Sequence, residues 1–182
     1  MLKRAMILSA FLLQGALVNS VQAAEKFTLA SPDIQAGKML SKNQEFNSFG
    51  CNGKNISPEL QWKNAPKATR SFAVTVYDPD APTGSGWWHW LVLNIPASSK
   101  GLPAGMKAEA SGSLQTRTDY GVAGFGGACP PKGDKPHRYQ FTVYALDVDS
   151  LPVTADSMPA FVGFNLHAHT LAKAQLEALY QR

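Results

Sequence analysis

The sequence has 182 residues, a length typical of one domain; 45% of them are hydrophobic and 16% are charged, a composition that excludes a disordered chain. The formal charge is +4 at pH 7, and it falls to +2 (15 basic against 13 acidic residues) without Lys3 and Arg4. Such a nearly neutral domain gives no electrostatic reason to expect nucleic acid as a partner.

The first 23 residues have the features of a secretory signal peptide. Lys3 and Arg4 give a basic start, residues 5–18 are largely apolar, and the tripeptide ending at Ala23 places small residues at the cleavage positions. We therefore expect this segment to be removed and residues 24–182 to form an exported, periplasmic domain. A membrane anchor is the alternative, but the apolar run is short and no cysteine follows the cleavage site to carry a lipid. No later run predicts an integral membrane segment.

Two cysteines, Cys51 and Cys129, would reach an oxidising compartment with the exported domain. An even number of cysteines there predicts a disulfide, with two free thiols or a pair of metal ligands as the alternatives. A bridge closing a loop of this length would stabilise the fold by about 4.5 kcal/mol in the chain-entropy model, which is an upper figure.

Hydrophobic patterning predicts a mainly β domain. The strand candidates in chain order are Phe27–Leu29, Ile56–Trp62, Ser71–Tyr77, Trp87–Ile95 and His137–Leu146. Apolar residues alternate along Ser71–Tyr77, which is typical of a strand buried on one face. Only the end of the chain looks helical, because Val162–Leu179 carries leucines near helical spacing with good helix formers between them. We therefore expect a β-sheet with a C-terminal helix packed on it.

The segment between the last two strand candidates, residues 96–136, is rich in glycine and proline. It is too long for an idle loop in a compact domain, so we expect a structured binding loop. Its glycines would let backbone N–H groups approach a ligand closely, and Pro130-Pro131 would form a rigid wall.

Four ionisable residues are expected to converge near this loop: Asp78, Asp80, His89 and His137. Both aspartates follow a strand, and the prolines after them end regular pairing. His89 has the same parity as Leu91 and Leu93, so we expect it to point to the packed side of its strand. Together these groups predict a small cavity with acids, imidazoles and backbone donors.

Several motifs occur in order along the chain: Asp78-Pro-Asp-Ala-Pro82, Trp88-His89-Trp90 with Asn94-Ile-Pro96, Pro130-Pro131, and His137-Arg-Tyr139. Together they resemble the phosphatidylethanolamine-binding protein family, and the likeness covers nearly all of the domain. The segment from Cys51 to Trp62 resembles the bacterial Raf-kinase-inhibitor-like branch of that family. The resemblance implies a single domain, mainly β, with a large central sheet flanked by a smaller sheet and helices.

The resemblance also implies a surface anion pocket for phosphate-like groups and phosphorylethanolamine. Its residues would be Asp78, His89, Pro131, His137 and Tyr139, with Asp80 and Trp88 close by. One departure is that eukaryotic members often have two histidines where this chain has Trp88-His89, which would replace a polar wall by an indole. Another is the cysteine pair, since a bridge at Cys129 would brace the proline wall.

This chemistry suits a zwitterionic head group. Protonated histidines and loop N–H groups would bind the phosphate, and the two aspartates would bind the ammonium. Anion binding should therefore strengthen as pH falls through the histidine range, near 6.5 for an unperturbed ring.

Each candidate also has an ordinary structural interpretation. Asp78 and Asp80 could cap a turn, His89 could be a satisfied core histidine, and Tyr139 could belong to the core. Arg138 has the opposite parity to Tyr139, so we expect it to pair with a carboxylate rather than a ligand.

We expect no enzyme, no cofactor and no metal. The sequence has no G-x-S-x-G element and no phosphate-binding P-loop, and the pair His167-x-His169 would point about 200° apart on a helix. A hydrolase using Asp78 and His89 is one alternative. A second is a modulator of protein partners, similar to family members that inhibit kinases or serine proteases, and an exposed strand or tryptophan would allow a homodimer.

Overall fold

The structure is a computed structural model that describes residues 25–107 and 112–182. The proposed signal peptide, residues 1–23, lies outside the described residues. The elements in chain order are β1 (Thr28–Ala30), β2 (Leu60–Lys63), β3 (Ser71–Asp78), β4 (Trp87–Pro96), β5 (Gly101–Leu102), β6 (Leu114–Gln115), β7 (His137–Leu146), α1 (Pro159–His169) and β8 (Thr170–Tyr180). No helix among the described residues is long and apolar enough to cross a membrane.

Two antiparallel sheets make up the fold. The large sheet has five strands in the order β6-β4-β3-β7-β8, and the small one has three in the order β1-β2-β5. The predicted mainly β architecture, with a central sheet, a smaller sheet and a helix near the C-terminus, is confirmed.

The central sheet is covered on both faces. On one face, Phe72 and Val74 of β3 pack with Trp62 of the small sheet. On the other face, Ala73 packs with Val162 and other side chains around α1. The expectation that β3 is buried on one face only is therefore wrong: both sets of alternating residues are buried because each face of the sheet has its own cover.

A β-bulge in β4 decides where His89 points. Val76 pairs with Trp90 and the next residue, Tyr77, pairs with Trp88, so His89 is the extra residue on β4. Because a bulge interrupts the alternation, His89 lies on the face that is covered by the small sheet, opposite to Leu91. The burial predicted for His89 is observed, although His89 and Leu91 lie on opposite faces, so their shared parity does not fix the direction of the ring.

The predicted helix Val162–Leu179 is correct only in its first part. The helix α1 ends at His169, and β8 continues as a strand that pairs with β7 along its whole length. The buried residues of β8 are Ala174, Leu176, Ala178 and Tyr180, which is a period of two. Pairing with an unoccupied edge of the sheet thus outweighs the helix propensity of this segment.

Candidate functional site

A cavity of about 170 Å³ opens where β3 ends and where β4 and β7 begin. This volume is several times the roughly 10–15 Å³ that one water molecule needs. Its lining combines ionisable groups with an apolar wall and comprises Phe49, Asp78, Ala81, Pro82, Thr83, Trp87, His89, Tyr120, Cys129, Pro130, Pro131, His137 and Tyr139.

Asp78 and His137 form a buried pair at one side of the cavity. The His137 Nδ1 atom lies 2.8 Å from Oδ2 of Asp78, and Oδ1 of Asp78 accepts the backbone N–H of Asp80 at 2.8 Å. On its other side, Nε2 of His137 lies 3.3 Å from a carboxylate oxygen of Asp134. Both nitrogens of His137 and both oxygens of Asp78 therefore have protein partners.

Asp80 points away from the cavity and pairs with Arg138. Its Oδ2 and Oδ1 atoms accept hydrogen bonds from Nε and one terminal nitrogen of the guanidinium, at 2.8 and 2.9 Å. Oδ2 also accepts the backbone N–H of Arg138 at 2.9 Å. These bonds lower the pKa of Asp80 to about 2. The structural pairing expected for Arg138 is observed, and Asp80 is not among the residues that line the cavity.

His89 is held by the backbone of the long loop. Its Nδ1 atom lies 2.8 Å from the carbonyl oxygen of Gly126. Burial lowers the pKa of His89, although the Gly126 carbonyl and the charge of Asp78 act in the opposite direction. The ring packs edge-on against Tyr120 and Tyr139, with centroids 5.5 and 5.1 Å away.

Two buried polar atoms of cavity residues have no hydrogen-bond partner among the described residues: the Tyr139 hydroxyl and Nε1 of Trp87. An unpaired buried hydroxyl costs about 1–3 kcal/mol, and a ligand or solvent molecule in the cavity would offer such groups a partner. Burial raises the pKa of Tyr139 and of Tyr120 well above the usual value, so both phenols stay protonated.

The proline wall of the cavity is attached to the neighbouring loop in two ways. The predicted disulfide Cys51–Cys129 is present and spans 78 residues. Near it, the guanidinium of Arg182 donates hydrogen bonds to the carbonyl oxygens of Pro130 and Gly50.

Two glycines of the long loop, Gly126 and Gly127, use their N–H groups within the protein. The N–H groups of Gly126 and Gly127 donate to the His89 carbonyl and to the Asn55 side chain. A Cβ atom at Gly126 would lie 2.3 Å from the ring of Tyr120. The expectation that these two backbone groups face a ligand is therefore wrong, because the loop uses them to hold its own fold.

Of the residues proposed from the sequence, Asp78, His89, Pro131, His137 and Tyr139 line the cavity. Trp88 does not: its indole packs on Tyr77, 4.5 Å between centroids, on the helix-covered side of the sheet. The expectation that Trp88 replaces a polar wall of the cavity is thus corrected.

Sequence reasoning missed three aromatic lining residues, Phe49, Trp87 and Tyr120. Trp87 was the easiest to find, because it stands two residues before His89 on β4 and strand alternation places both on the same face. Phe49 and Tyr120 lie in irregular loops, where no periodicity indicates the direction of a side chain.

No metal-binding cluster of histidine, cysteine and acidic residues occurs within residues 25–107 and 112–182. His169, one of the pair considered above, has its Nδ1 atom 3.0 Å from Asp147.

The chain belongs to the phosphatidylethanolamine-binding protein family, whose model matches residues 30–181. It is 52% identical over 167 residues to the UPF0098 protein YbcL of Escherichia coli (strain K12), covering 89% of this chain and 91% of YbcL. It is 51% identical over 156 residues to YbhB of the same organism, covering 84% and 98% of the two chains. The crystal structure of E. coli YbcL superposes with a TM-score of 0.84 at 50% identity, covering 87% of this chain and 99% of that one. The family resemblance found in the sequence is thus confirmed.

Proposed function

We propose that this chain is an exported, non-enzymatic binding protein whose cavity accepts small phosphate-like or phosphorylethanolamine-type groups. One observation carries the proposal: Asp78, His89, His137 and Tyr139, from three neighbouring strands, meet in one cavity. The buried, unpaired hydroxyl of Tyr139 supports it, because an acceptor oxygen of a ligand would complete its hydrogen bonding.

The remaining chemistry of the cavity fits a small polar head group. Trp87 Nε1 is a second unpaired donor, and His89 offers one ring nitrogen. The family description names phosphatidylethanolamine, whose head group joins a phosphate to an ammonium. The negative charge of Asp78 would favour that ammonium.

A binding role is favoured over hydrolysis because the Thr83 hydroxyl and the Cys129 sulfur, the aliphatic hydroxyl and the sulfur among the described lining residues, are both engaged. The Thr83 hydroxyl donates to the Gly86 carbonyl, and the sulfur of Cys129 is in the disulfide.

The disulfide also supports export to an oxidising compartment. Mass spectrometry of the protein isolated from a periplasmic fraction tests export; a chain that begins at Ala24 is expected, and retention of residues 1–23 would contradict it.

Calorimetric titration with phosphorylethanolamine tests the binding function. Tyr139→Phe should weaken binding about tenfold, because one hydrogen bond to a charged group contributes about 1.5 kcal/mol. Tyr144→Phe is the matched control, since Tyr144 packs on the helix-covered face of the sheet. Affinity should also rise as pH falls from 8 to 5; no binding across that range, or equal loss in both variants, would contradict the proposal.

A modulator of protein partners is the second candidate. Phe49 lies at the cavity and is 66% exposed, which is unusual for an aromatic side chain beside a small polar site. A partner that inserts an acidic or phosphorylated side chain would cover this ring. In that case Phe49→Ser should release the partner, and a partner that stays bound to the Phe49→Ser protein would argue against this second function.

A further inference from the structure

The hydrogen bond of His89 fixes which of its ring nitrogens can meet a ligand. A carbonyl oxygen only accepts, so the Nδ1 atom 2.8 Å from the Gly126 carbonyl carries a proton. In the neutral ring, Nε2 is then a bare acceptor. His89 lines the cavity, and Nε2 is the ring nitrogen that the Gly126 hydrogen bond leaves for whatever occupies it, with the Gly127 backbone beside the ring.

The groups packed around His89 favour the neutral ring. From β3 comes Asp78, whose two oxygens already accept hydrogen bonds. From β7 come His137, with both nitrogens facing carboxylates, and Tyr139. From the long loop come Tyr120 and, further away, the charge of Asp119. The two acids raise the pKa of His89, but burial lowers it more.

We propose that the cavity takes up a phosphate group together with one proton, and that it therefore selects phosphate monoesters as monoanions over phosphodiesters. The proposal rests on the binding function above. A phosphate dianion would set its lone pairs against the lone pair of His89 Nε2. The monoanion of a monoester has one P–O–H group that donates to Nε2 while its other oxygens accept from Tyr139.

A phosphodiester carries the same single negative charge but no proton. It can bind in the same way only if His89 first takes a proton from solvent, and burial opposes that step. Apart from this proton transfer, no covalent bond is made or broken in either case. The preference for the monoester arises because the monoester itself supplies the proton between the phosphate and Nε2, whereas the diester needs one from solvent.

The size of the effect follows from the second pKa of a phosphate monoester, near 6. At pH 7.5 only about 3% of the monoester is monoanion, and at pH 5.0 about 90% is. Binding should therefore take up about one proton per molecule at pH 7.5 and about 0.1 at pH 5.0. The apparent affinity should rise about 30-fold between these two pH values.

Calorimetry in two buffers of different ionisation enthalpy measures the proton uptake directly. The ligands are phosphorylethanolamine and its O-methyl phosphodiester. The diester carries a methyl group on a phosphate oxygen and so lacks the second ionisation of the monoester. The monoester should show the uptake given above and should bind more tightly than the diester at pH 7.5. Binding of the monoester at pH 7.5 without proton uptake, or equal affinity for both ligands, would overturn this inference alone. Failure of both ligands to bind at either pH would overturn the binding function as well.

Variants assign the proton to His89. His89→Gln places an amide N–H near the position of Nε2, so it should abolish proton uptake at pH 7.5 and remove the preference for the monoester. His167→Gln, an exchange on the exposed face of α1, should change neither. Tyr139→Phe should weaken binding but keep the uptake. Uptake that persists in a folded His89→Gln protein, as checked by thermal unfolding, would overturn the assignment.

Discussion

The two sides of the cavity differ in how far the protein satisfies its own polar groups. On one side, Asp78 and His137 use all four of their oxygen and nitrogen atoms on protein partners. On the other side, His89 uses one nitrogen, and the hydroxyl of Tyr139 uses none. We infer from this comparison that the Asp78–His137 pair holds the cavity in shape, and that in the proposed function His89 and Tyr139 would meet the ligand. Two histidines that look alike in the sequence therefore have different hydrogen-bond environments.

The largest effect is expected from breaking the Asp78–His137 pair, whose polar side-chain atoms all have protein partners. Asp78→Ala leaves the buried His137 without its main partner, and breaking such a buried pair costs about 3–5 kcal/mol of unfolding free energy. Urea unfolding at pH 7 measures this loss. Asp134→Ala is the control: its side chain is 42% exposed, so it should cost less than about 1 kcal/mol. Equal losses in the two variants would mean that the inner pair is not the one that supports the cavity.

A smaller effect is expected just outside the cavity, at Asp80. The pKa of Asp80 is lowered to about 2 in the folded protein, so its pair with Arg138 stabilises the fold above the unfolded pKa, near 3.9. This contribution is lost as pH falls through about 2. Asp80→Asn should cost about 1–2 kcal/mol at pH 7, a figure reduced for the half-exposed Arg138, and almost nothing near pH 2.

Urea unfolding of wild type and Asp80→Asn at both pH values tests this prediction. Ligand affinity serves as the control, because Asp80 points away from the cavity and the exchange should leave phosphorylethanolamine binding intact. A cost that does not depend on pH would argue against the ion pair as its cause.

The smallest effect is expected from the protonation of His89, on the opposite side of the cavity. Because the pKa of His89 is lowered in the folded state, the unfolded chain binds more protons, and stability falls as pH drops below about 6.5. At pH 5.8 this loss is at most about 1 kcal/mol. His89→Gln should flatten the stability profile between pH 7.5 and 5.8, measured by thermal unfolding, and His167→Gln should leave its slope unchanged. An unchanged slope in His89→Gln would mean that another group takes up the proton.

The sequence was informative where neighbours along the chain decide the structure. The alternation in β3 and β7 predicted these strands, and the sequence motifs predicted five of the thirteen residues that line the cavity. It was misleading at β8, where a segment of good helix formers pairs with β7 because the sheet offers it an edge. That choice depends on tertiary contacts, which local propensity does not contain.

The sequence predicted which residues form the candidate site better than it predicted where their side chains point. A single bulge in β4 sends His89 to the cavity and Trp88 to the opposite face, and nothing in the local alternation indicates an extra residue. The different hydrogen-bond partners of His89 and His137 could also not be predicted from the sequence. They depend on Asp134 and on the Gly126 carbonyl, whose positions are set by loops.

The contacts of Arg182 have a practical consequence for handling the protein. This residue joins the same two loops as the disulfide, through the Pro130 and Gly50 carbonyls, and its own carbonyl accepts the N–H of Gly133. The cavity wall thus has a covalent and a non-covalent anchor. A reducing agent alone should leave the wall attached through the Arg182 hydrogen bonds. An affinity tag fused after Arg182 would disturb those hydrogen bonds. Protein for binding measurements is therefore best tagged at the other end of the domain.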